Sequence, residues 1–276
     1  IIFALIHAAS GAMATPVTPA SPATYISAYK IYIRGVLLGR ADIKLTVSQE
    51  TYELSALLQA SGLGMVFSDA RALVETYGGL LADGYEPQGL RYSWTGDGVI
   101  NHATLAYKAG APVSYTTNYK PNRAQDVVTP VRIDEVGPGT RDPFLSLLIR
   151  QNPEQGDAFC RKPVRLFDGR RLARLRPENM NNAPPAPLED SIACRVRWEP
   201  VAGYPKKTFE RADEMHPLDI EFTPIADTRF LAPRELTVMT RFGTVRISAV
   251  EAFRESHDSL VPQKLEPPAV EDDFFD

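Results

Sequence analysis

The fold is indicated most clearly by residues 157–177, DAFCRKPVRLFDGRRLARLRP, in which an Asp-Gly pair separates two partly apolar runs. An Asp-Gly pair in this setting is a strong hairpin signal. A four-residue loop, 168–171, pairs Phe167 with Leu172 and brings four apolar side chains to one face: Val164, Leu166, Ala173 and Leu175. Burial of one face fixes strand register, so we predict this loop rather than a two-residue turn.

The same hairpin carries a dense group of arginines. In the predicted register Arg165 and Arg174 share the other face, while Arg170 and Arg171 lie at the tip, in solvent. Two interpretations stay open: the arginines are only the solvated side of the hairpin, or these four side chains contact an anion or a partner. Guanidinium groups suit the second interpretation because they bind carboxylate and phosphate through paired hydrogen bonds.

Most of the remaining sequence has the composition of strands. Residues 24–61 alternate Tyr, Ile, Val, Thr and Leu with polar residues, and Gly35, Gly39 and Gln49-Glu50 interrupt them. This alternation is typical of half-buried strands joined by short turns. Residues 65–81 are compatible with a helix or a strand, and we favour the strand. The C-terminal third repeats the strand pattern in three segments: PLDIEFTPIA, RELTVMTRF and TVRISAVEAF.

One segment, RDPFLSLLIRQ at 141–151, predicts a short amphipathic helix. Asp142 is a suitable N-cap and Pro143 a suitable first helical residue. Three apolar side chains then share a face at helical spacing: Phe144, Leu147 and Leu148. We therefore predict a mainly β protein, a strongly curved antiparallel sheet or a partly closed β-barrel or spiral, with this helix packed on or inside it as part of the core.

The N-terminus predicts export. Residues 1–14 are apolar and then small, ending in the cleavage signature Ala12-Met13-Ala14, which indicates a truncated signal peptide. A flexible Pro/Ser/Thr leader at 15–23 would precede a single β-rich domain at 24–254. Residues 255–276 are acidic and without periodicity, and we expect them to be disordered. A periplasmic location follows from the export signal.

Cys160 and Cys194 are the two cysteines of the chain. In an oxidising compartment two cysteines indicate a disulfide. Two buried free thiols are the alternative. A metal site is disfavoured because neither cysteine has a second Cys or His at ligand spacing.

Composition and motifs narrow the function classes. The net charge of −4 argues against nucleic acid as the main partner. No later stretch has the 18 or more apolar residues of a membrane-spanning helix, so we do not expect an integral membrane protein. Nucleotide-binding and nucleophile-elbow motifs are absent from the sequence, and we expect no cofactor and no catalytic residue. The group Asp213, Glu214, His216 and Asp219 is interpreted as a solvated loop rather than a metal site.

The order of elements resembles an uncharacterised bacterial envelope family, domain of unknown function 3108. The resemblance covers about residues 24–254 and rests on four places: Asp142-Pro143, Phe167 to Arg171, Cys194 to Gly203, and Pro233 to Thr244. The chain departs from the family at Leu172-Ala173-Arg174, where an aromatic and an acidic residue are frequent. The resemblance implies a periplasmic β-scaffold and no activity.

Three hypotheses about function follow. The first is a non-catalytic periplasmic scaffold that supports cell-envelope integrity and binds a lipid or lipoprotein on an apolar concave face. The second is a binding module that contacts an anionic polymer or protein through the arginine hairpin. The third is a hydrolase whose groups come together from distant loops.

Overall fold

Two antiparallel meanders build one large sheet. The computed structural model describes residues 22–67, 69–81, 84–96, 99–118, 131–150, 158–178, 191–225 and 228–255. The expected signal peptide lies outside these residues, as do nearly all of the expected leader and tail. Within them, the first meander consists of β1 (Ala23–Ile33), β2 (Val36–Val47), β3 (Thr51–Ala60), β4 (Arg71–Leu81), β5 (Gly84–Gly96), β6 (Val99–Lys108) and β7 (Ala111–Thr117).

The second meander follows several short elements. These are α2 (Ile133–Val136), a 3-10 turn (Leu145–Leu147), β8 (Ile149–Arg150) and α3 (Ala158–Arg161), while α1 (Gly64–Phe67) lies between β3 and β4. The strands are β9 (Val164–Phe167), β10 (Leu172–Pro177), β11 (Ile192–Ala202), β12 (Leu218–Pro224), β13 (Phe230–Thr240) and β14 (Gly243–Glu255). Between β11 and β12 lie α4 (Lys206–Glu210) and a second 3-10 turn (Ala212–Glu214).

Pairing of β1 with β14 joins the two meanders. The strand order is β7-β6-β5-β4-β3-β2-β1-β14-β13-β12-β11-β10-β9, and β8 pairs with β13 beside this path. Each named strand pair is antiparallel. This confirms the prediction of a mainly β, antiparallel sheet. Of residues 65–81, for which a strand is favoured over a helix, 71–81 do form a strand, whereas 65–67 belong to helix α1.

Local sequence explains the individual strands. Along β1 the buried residues Tyr25, Ser27 and Tyr29 alternate with half-buried ones, as a strand with one face on the core requires. Arg34 and Gly35 connect β1 to β2 with positive φ angles of 50° and 79°. Positive φ at both central residues defines the type I′ turn, whose twist suits a hairpin.

The apolar core follows one continuous face of the sheet. Its side chains cross from Ile31 on β1 to Ile247 on β14, then to Leu236, Ile220 and Cys194 on successive strands. Buried side chains of both meanders lie on this face and meet one another in the interior. The sheet is therefore curled around this face.

The predicted register of the arginine hairpin is confirmed. Leu172 pairs with Phe167, and Leu175 pairs with Val164. The carboxylate of Asp168 accepts hydrogen bonds from the backbone N–H groups of Arg170, at 2.9 Å, and Arg171, at 2.6 Å. The predicted apolar face, which includes Leu166, Ala173 and Leu175, packs into the core of the second meander.

The prediction that the hairpin tip lies in solvent is wrong. Phe167 and Leu172, on the face opposite to Leu166, are buried against Leu90 and Leu105 of the first meander. Both faces of the hairpin are therefore covered near its tip. Gly169 is itself buried, and Arg170 and Arg171 are half-buried. The curl of the sheet brings its last hairpin inside the concave side of its first strands.

The predicted helix at 142–151 is wrong in type and extent. Only Leu145–Leu147 are helical, in a single 3-10 turn, and the backbone is extended again from Leu148. The N-terminal capping role of Asp142 is confirmed, because its Oδ1 accepts hydrogen bonds from the N–H groups of Phe144 and Leu145. The turn stops because Ile149 and Arg150 pair with β13 as strand β8.

Candidate functional site: an apolar cavity on the concave face

An apolar cavity of about 130 Å³ opens on the concave face of the sheet. One wall consists of side chains from the first three strands: Tyr29, Ile31, Ala41, Ile43, Ala56 and Leu58. The opposite wall belongs to β13 and β14 and consists of Ala232, Pro233, Leu236 and Ile247. A third side comes from the 3-10 turn: Phe144, Leu147 and Leu148.

The cavity lies where β13 and β14 separate. These strands pair from Thr240 and Gly243 as far as Glu235 and Ser248. Beyond that point β14 stays paired with β1, its partner from Val245 onward, whereas Phe230 and Leu231 of β13 pair with β8. Because β8 takes the place that β14 leaves, the backbone groups at the start of β13 remain paired while the sheet opens beneath them.

Tyr29 closes the gap between the two separated strands. Its hydroxyl donates a 2.6 Å hydrogen bond to the backbone carbonyl of Pro233 on β13. Burial raises the pKa of Tyr29 to about 12, and a hydrogen bond with Ser27 acts in the opposite direction. Tyr29 is therefore neutral. Its ring lines the cavity, and its hydroxyl is hydrogen-bonded within the protein.

The three residues predicted as the core face of a helix do line this site. Leu148 is almost fully buried, whereas Phe144 and Leu147 are half-buried at the cavity surface. They converge because the 3-10 turn and the following extended backbone point all three toward β2 and β3. Their apolar character was visible in the sequence, but their shared role as a cavity wall was not.

A buried carboxylate fixes the turn that carries these residues. The side chain of Asp142 is fully buried, and its Oδ2 accepts a 2.9 Å hydrogen bond from the hydroxyl of Thr76 on β4. Burial raises the pKa of Asp142, although hydrogen bonds from Leu145, Thr76, Phe144 and its own backbone N–H act against the shift. The hydroxyls of Tyr52 and Tyr107 are buried nearby, and burial together with the Asp142 charge raises the pKa of both. Asp142 and Thr76 thus hold the turn that carries the cavity wall, and neither of them lines the cavity.

The four arginines of the hairpin do not form one free basic surface. Arg165 donates a 3.2 Å hydrogen bond to the backbone carbonyl of Glu135. Arg174 lies 3.8 Å from the carboxylate of Glu199, which also pairs with Arg176 at 2.6 Å. Arg165 and Arg174 thus have contacts within the protein, although the side chain of Arg174 remains 46% exposed.

The two arginines at the tip are held by the neighbouring loop. The guanidinium of Arg171 lies over the ring of Tyr204, 5.3 Å from its centre. Gly203 abuts the backbone carbonyl of Arg170 so closely that a Cβ would overlap it. The Nε of Arg171 is buried and has no hydrogen-bond partner among the described residues.

Cys160 and Cys194 form a disulfide, as the sequence predicts. Their α-carbons are 5.3 Å apart, and 34 positions separate them in the chain. Cys160 belongs to α3 and Cys194 to β11, so the bond ties the segment before the hairpin to the core of the second meander. A disulfide is the bonding typical of proteins outside the reducing cytosol.

The acidic residues that lie close together in the sequence, from 213 to 219, do not converge in space among the described residues. In the parts of the chain that the structure describes, no three or more His, Cys, Asp or Glu side chains are placed to hold a metal ion. In the acidic loop, Asp213, Glu214 and His216 are exposed, while Asp219 forms a two-pronged ion pair with Arg195 at 2.6 and 2.8 Å. Over the same residues, no helix has the length and apolar character needed to cross a bilayer.

In comparisons with known proteins, no family model, curated protein or solved structure matches the chain.

Proposed function

We propose that the protein is a non-catalytic periplasmic β-scaffold that supports cell-envelope integrity and binds the apolar part of a lipid or lipoprotein in the concave cavity. The observation that carries this proposal is the chemistry of the cavity. Its walls are aliphatic and aromatic side chains. Its titratable side chain is Tyr29, whose hydroxyl donates a hydrogen bond to the carbonyl of Pro233. An apolar hollow of this kind favours hydrocarbon over water.

The size of the cavity limits what it can hold. Apolar cavities of about 150 Å³ stay dry and accept molecules as small as benzene. A cavity of about 130 Å³ therefore suits the end of an acyl chain rather than a whole lipid. That end of the acyl chain would contact the half-buried side chains of Ile31, Leu58 and Leu236 in the cavity walls.

The periplasm is proposed as the compartment on two grounds. The disulfide supports a location outside the cytosol. The apolar segment and cleavage signature expected at residues 1–14 lie outside the described residues and support export from the sequence side. The resemblance to an envelope family agrees with both grounds.

Native mass spectrometry of the protein purified from the periplasm tests this function. We expect a protein population that carries an additional mass, released by organic solvent and identified as an acyl-containing molecule. Protein of the bare polypeptide mass, together with no mass shift on incubation with phospholipid or fatty acid, would contradict the proposal. In cells that lack the protein, the expected phenotype is a loss of resistance to detergent.

A second candidate function is contact with an anionic partner through the arginine hairpin. One observation favours it: the side chain of Arg174 is 46% exposed on the hairpin. The contacts of Arg165 and Arg174 within the protein argue against it. An Arg170→Ala, Arg171→Ala variant that folds normally and fails to restore detergent resistance would favour this second function.

A further inference from the structure

One end of the sheet carries a concentration of exposed apolar side chains. In the described part of the chain twelve large hydrophobic residues are exposed, and half of them lie at this end. We call these six the apolar rim, and their exposed fractions range from 39% to 75%: Val36, Leu63, Met65, Val66, Met239 and Phe242. The other six are distributed over several strands and α4.

Backbone contacts place the rim residues side by side. The β1–β2 turn and the β13–β14 turn are adjacent, because the N–H of Arg34 donates a 3.0 Å hydrogen bond to the carbonyl of Thr244. The segment that leads into α1 folds back on β2, where the N–H of Leu63 donates to the carbonyl of Leu37 at 3.2 Å. The two turns and α1 thus form one edge, about 20 Å wide for five neighbouring strands.

Arginines accompany the apolar side chains of the rim. Arg34 and Arg241 occupy the two adjacent turns and are exposed. The guanidinium of Arg241 lies over the ring of Phe242, 4.5 Å from its centre. Arg71 is exposed at the start of β4. Against these three positive charges the described rim segments, 34–36, 63–67, 69–71 and 239–244, contain one carboxylate, that of Asp69.

We propose that the apolar rim docks on an anionic lipid surface. Separate apolar side chains on turns and a short helix can enter the boundary between headgroups and acyl chains, while nearby arginines meet the phosphates. The ring of Phe242 is apolar and suits the acyl-chain side of that boundary, while the Arg241 side chain beside it has an apolar stem and a charged head that suits the phosphates. The excess of positive charge distinguishes an anionic bilayer from a second copy of the chain, which would bring the same positive charges against it.

The position of the rim also connects it to the cavity. Ile31 on β1 and Ile247 on β14 line the cavity and pair with each other. The pair formed by Ile33 and Val245 is two residues further along each strand, next to the turns. A bilayer at the rim would therefore lie at the end of the strands that form the cavity. Docking at the rim does not depend on ligand in the cavity, so the two proposals can fail separately.

Cosedimentation of the purified chain with phosphatidylethanolamine–phosphatidylglycerol vesicles tests the docking. A Met65→Ser, Val66→Ser, Phe242→Ser variant should bind these vesicles about tenfold more weakly than the wild type. The matched control is Leu81→Ser, Ile100→Ser, Val113→Ser, which removes exposed apolar side chains elsewhere and should bind as the wild type does. Circular dichroism and thermal melting establish that each variant is folded.

A second variant tests the charge component without altering apolar area. Arg34→Gln, Arg241→Gln should weaken binding to the anionic vesicles severalfold at low salt, and should leave weak binding to neutral phosphatidylcholine vesicles unchanged. The proposal is overturned if the wild type does not bind anionic vesicles, or if the rim and control variants bind alike. It is equally overturned if the wild type self-associates through the rim, so that the serine variant is monomeric and the wild type is not.

Discussion

The hydroxyl of Tyr29 and the carbonyl of Pro233 are 2.6 Å apart, although their strands, β1 and β13, are not neighbours in the sheet. Strand β14 lies between them over part of its length and then turns away with β1. The hydrogen bond thus ties the two sides of a split sheet together above an apolar cavity. It fixes the distance between the walls that the proposed function requires.

Removal of this hydrogen bond should destabilise the protein. The Tyr29→Phe substitution removes the side-chain hydrogen bond to the buried Pro233 carbonyl, and we expect the free energy of unfolding to fall by about 1–3 kcal/mol. The measurement is equilibrium unfolding in urea. Tyr32→Phe is the matched control, because Tyr32 lies on the other face of the same strand and should change stability by less than about 0.5 kcal/mol. Equal effects of the two substitutions would contradict this role for Tyr29.

The buried Asp142 predicts a specific pH dependence. Its folded-state pKa is raised above the ordinary 3.8 because burial disfavours the charged carboxylate. Between these two pKa values the folded protein binds the proton more tightly than the unfolded chain does. The contribution of Asp142 to stability is therefore present at low pH and is lost as pH rises through that window.

Comparison with Asp142→Asn isolates this contribution from that of other carboxylates. The amide oxygen can still accept the hydrogen bonds from Phe144 and Leu145, but the side chain does not ionise. The free energy of unfolding, measured by urea titration from pH 4 to pH 8, should shift in favour of the variant as pH rises. A difference that stays constant over this range would show that Asp142 does not titrate as described.

Alanine substitutions at two glycines with the same φ angle distinguish the cost of backbone strain from the cost of steric overlap. Gly35 and Gly203 both have φ near 79°, but a Cβ at Gly35 meets nothing within 4 Å, whereas at Gly203 it overlaps the carbonyl of Arg170. Gly35→Ala should lower stability by about 1–2 kcal/mol, the cost of a left-handed conformation. Gly203→Ala should lower it further because the hairpin tip must move. Thermal melts with similar losses would show that the tip is not confined there.

The Cys160–Cys194 disulfide can be tested by thiol labelling and by substitution of both cysteines. Denatured, unreduced protein should contain no thiol that reacts with a labelling reagent. Replacement of both Cys160 and Cys194 by Ser should lower the free energy of unfolding by about 2–5 kcal/mol. Two labelled thiols per chain in protein from the periplasm would contradict both the bond and the proposed compartment.

Local sequence predicted those parts of the fold that local physics determines. The alternation along β1, the register of the hairpin and the cap at Asp142 each depend on residues within a few positions of one another. The type and length of the segment after Asp142 were mispredicted, because Ile149 pairs with Leu231, far along the chain. A long-range strand pairing overrides the helical spacing of three apolar residues there.

The candidate site could not be predicted for the same reason. Each side chain of the cavity has the signature of an ordinary core residue, and Tyr29, Ala41 and Leu236 show no local pattern that distinguishes them. The cavity exists because β13 and β14 separate, which follows from pairing across the whole sheet. The burial of Phe167 and Leu172 is a similar case, since it depends on how far the sheet curls and not on their alternation.

The central claim is that the cavity holds the end of an acyl chain, and displacement of a fluorescent fatty acid tests it most directly. Ala41→Leu adds apolar volume inside the cavity, whereas Ala28→Leu adds the same volume on the other face of the sheet, from a residue of the adjacent strand. With both variants folded by thermal melting, we predict that Ala28→Leu binds the fatty acid as the wild type does and that Ala41→Leu binds it about tenfold more weakly. Equal affinity of Ala41→Leu and the wild type would contradict the account.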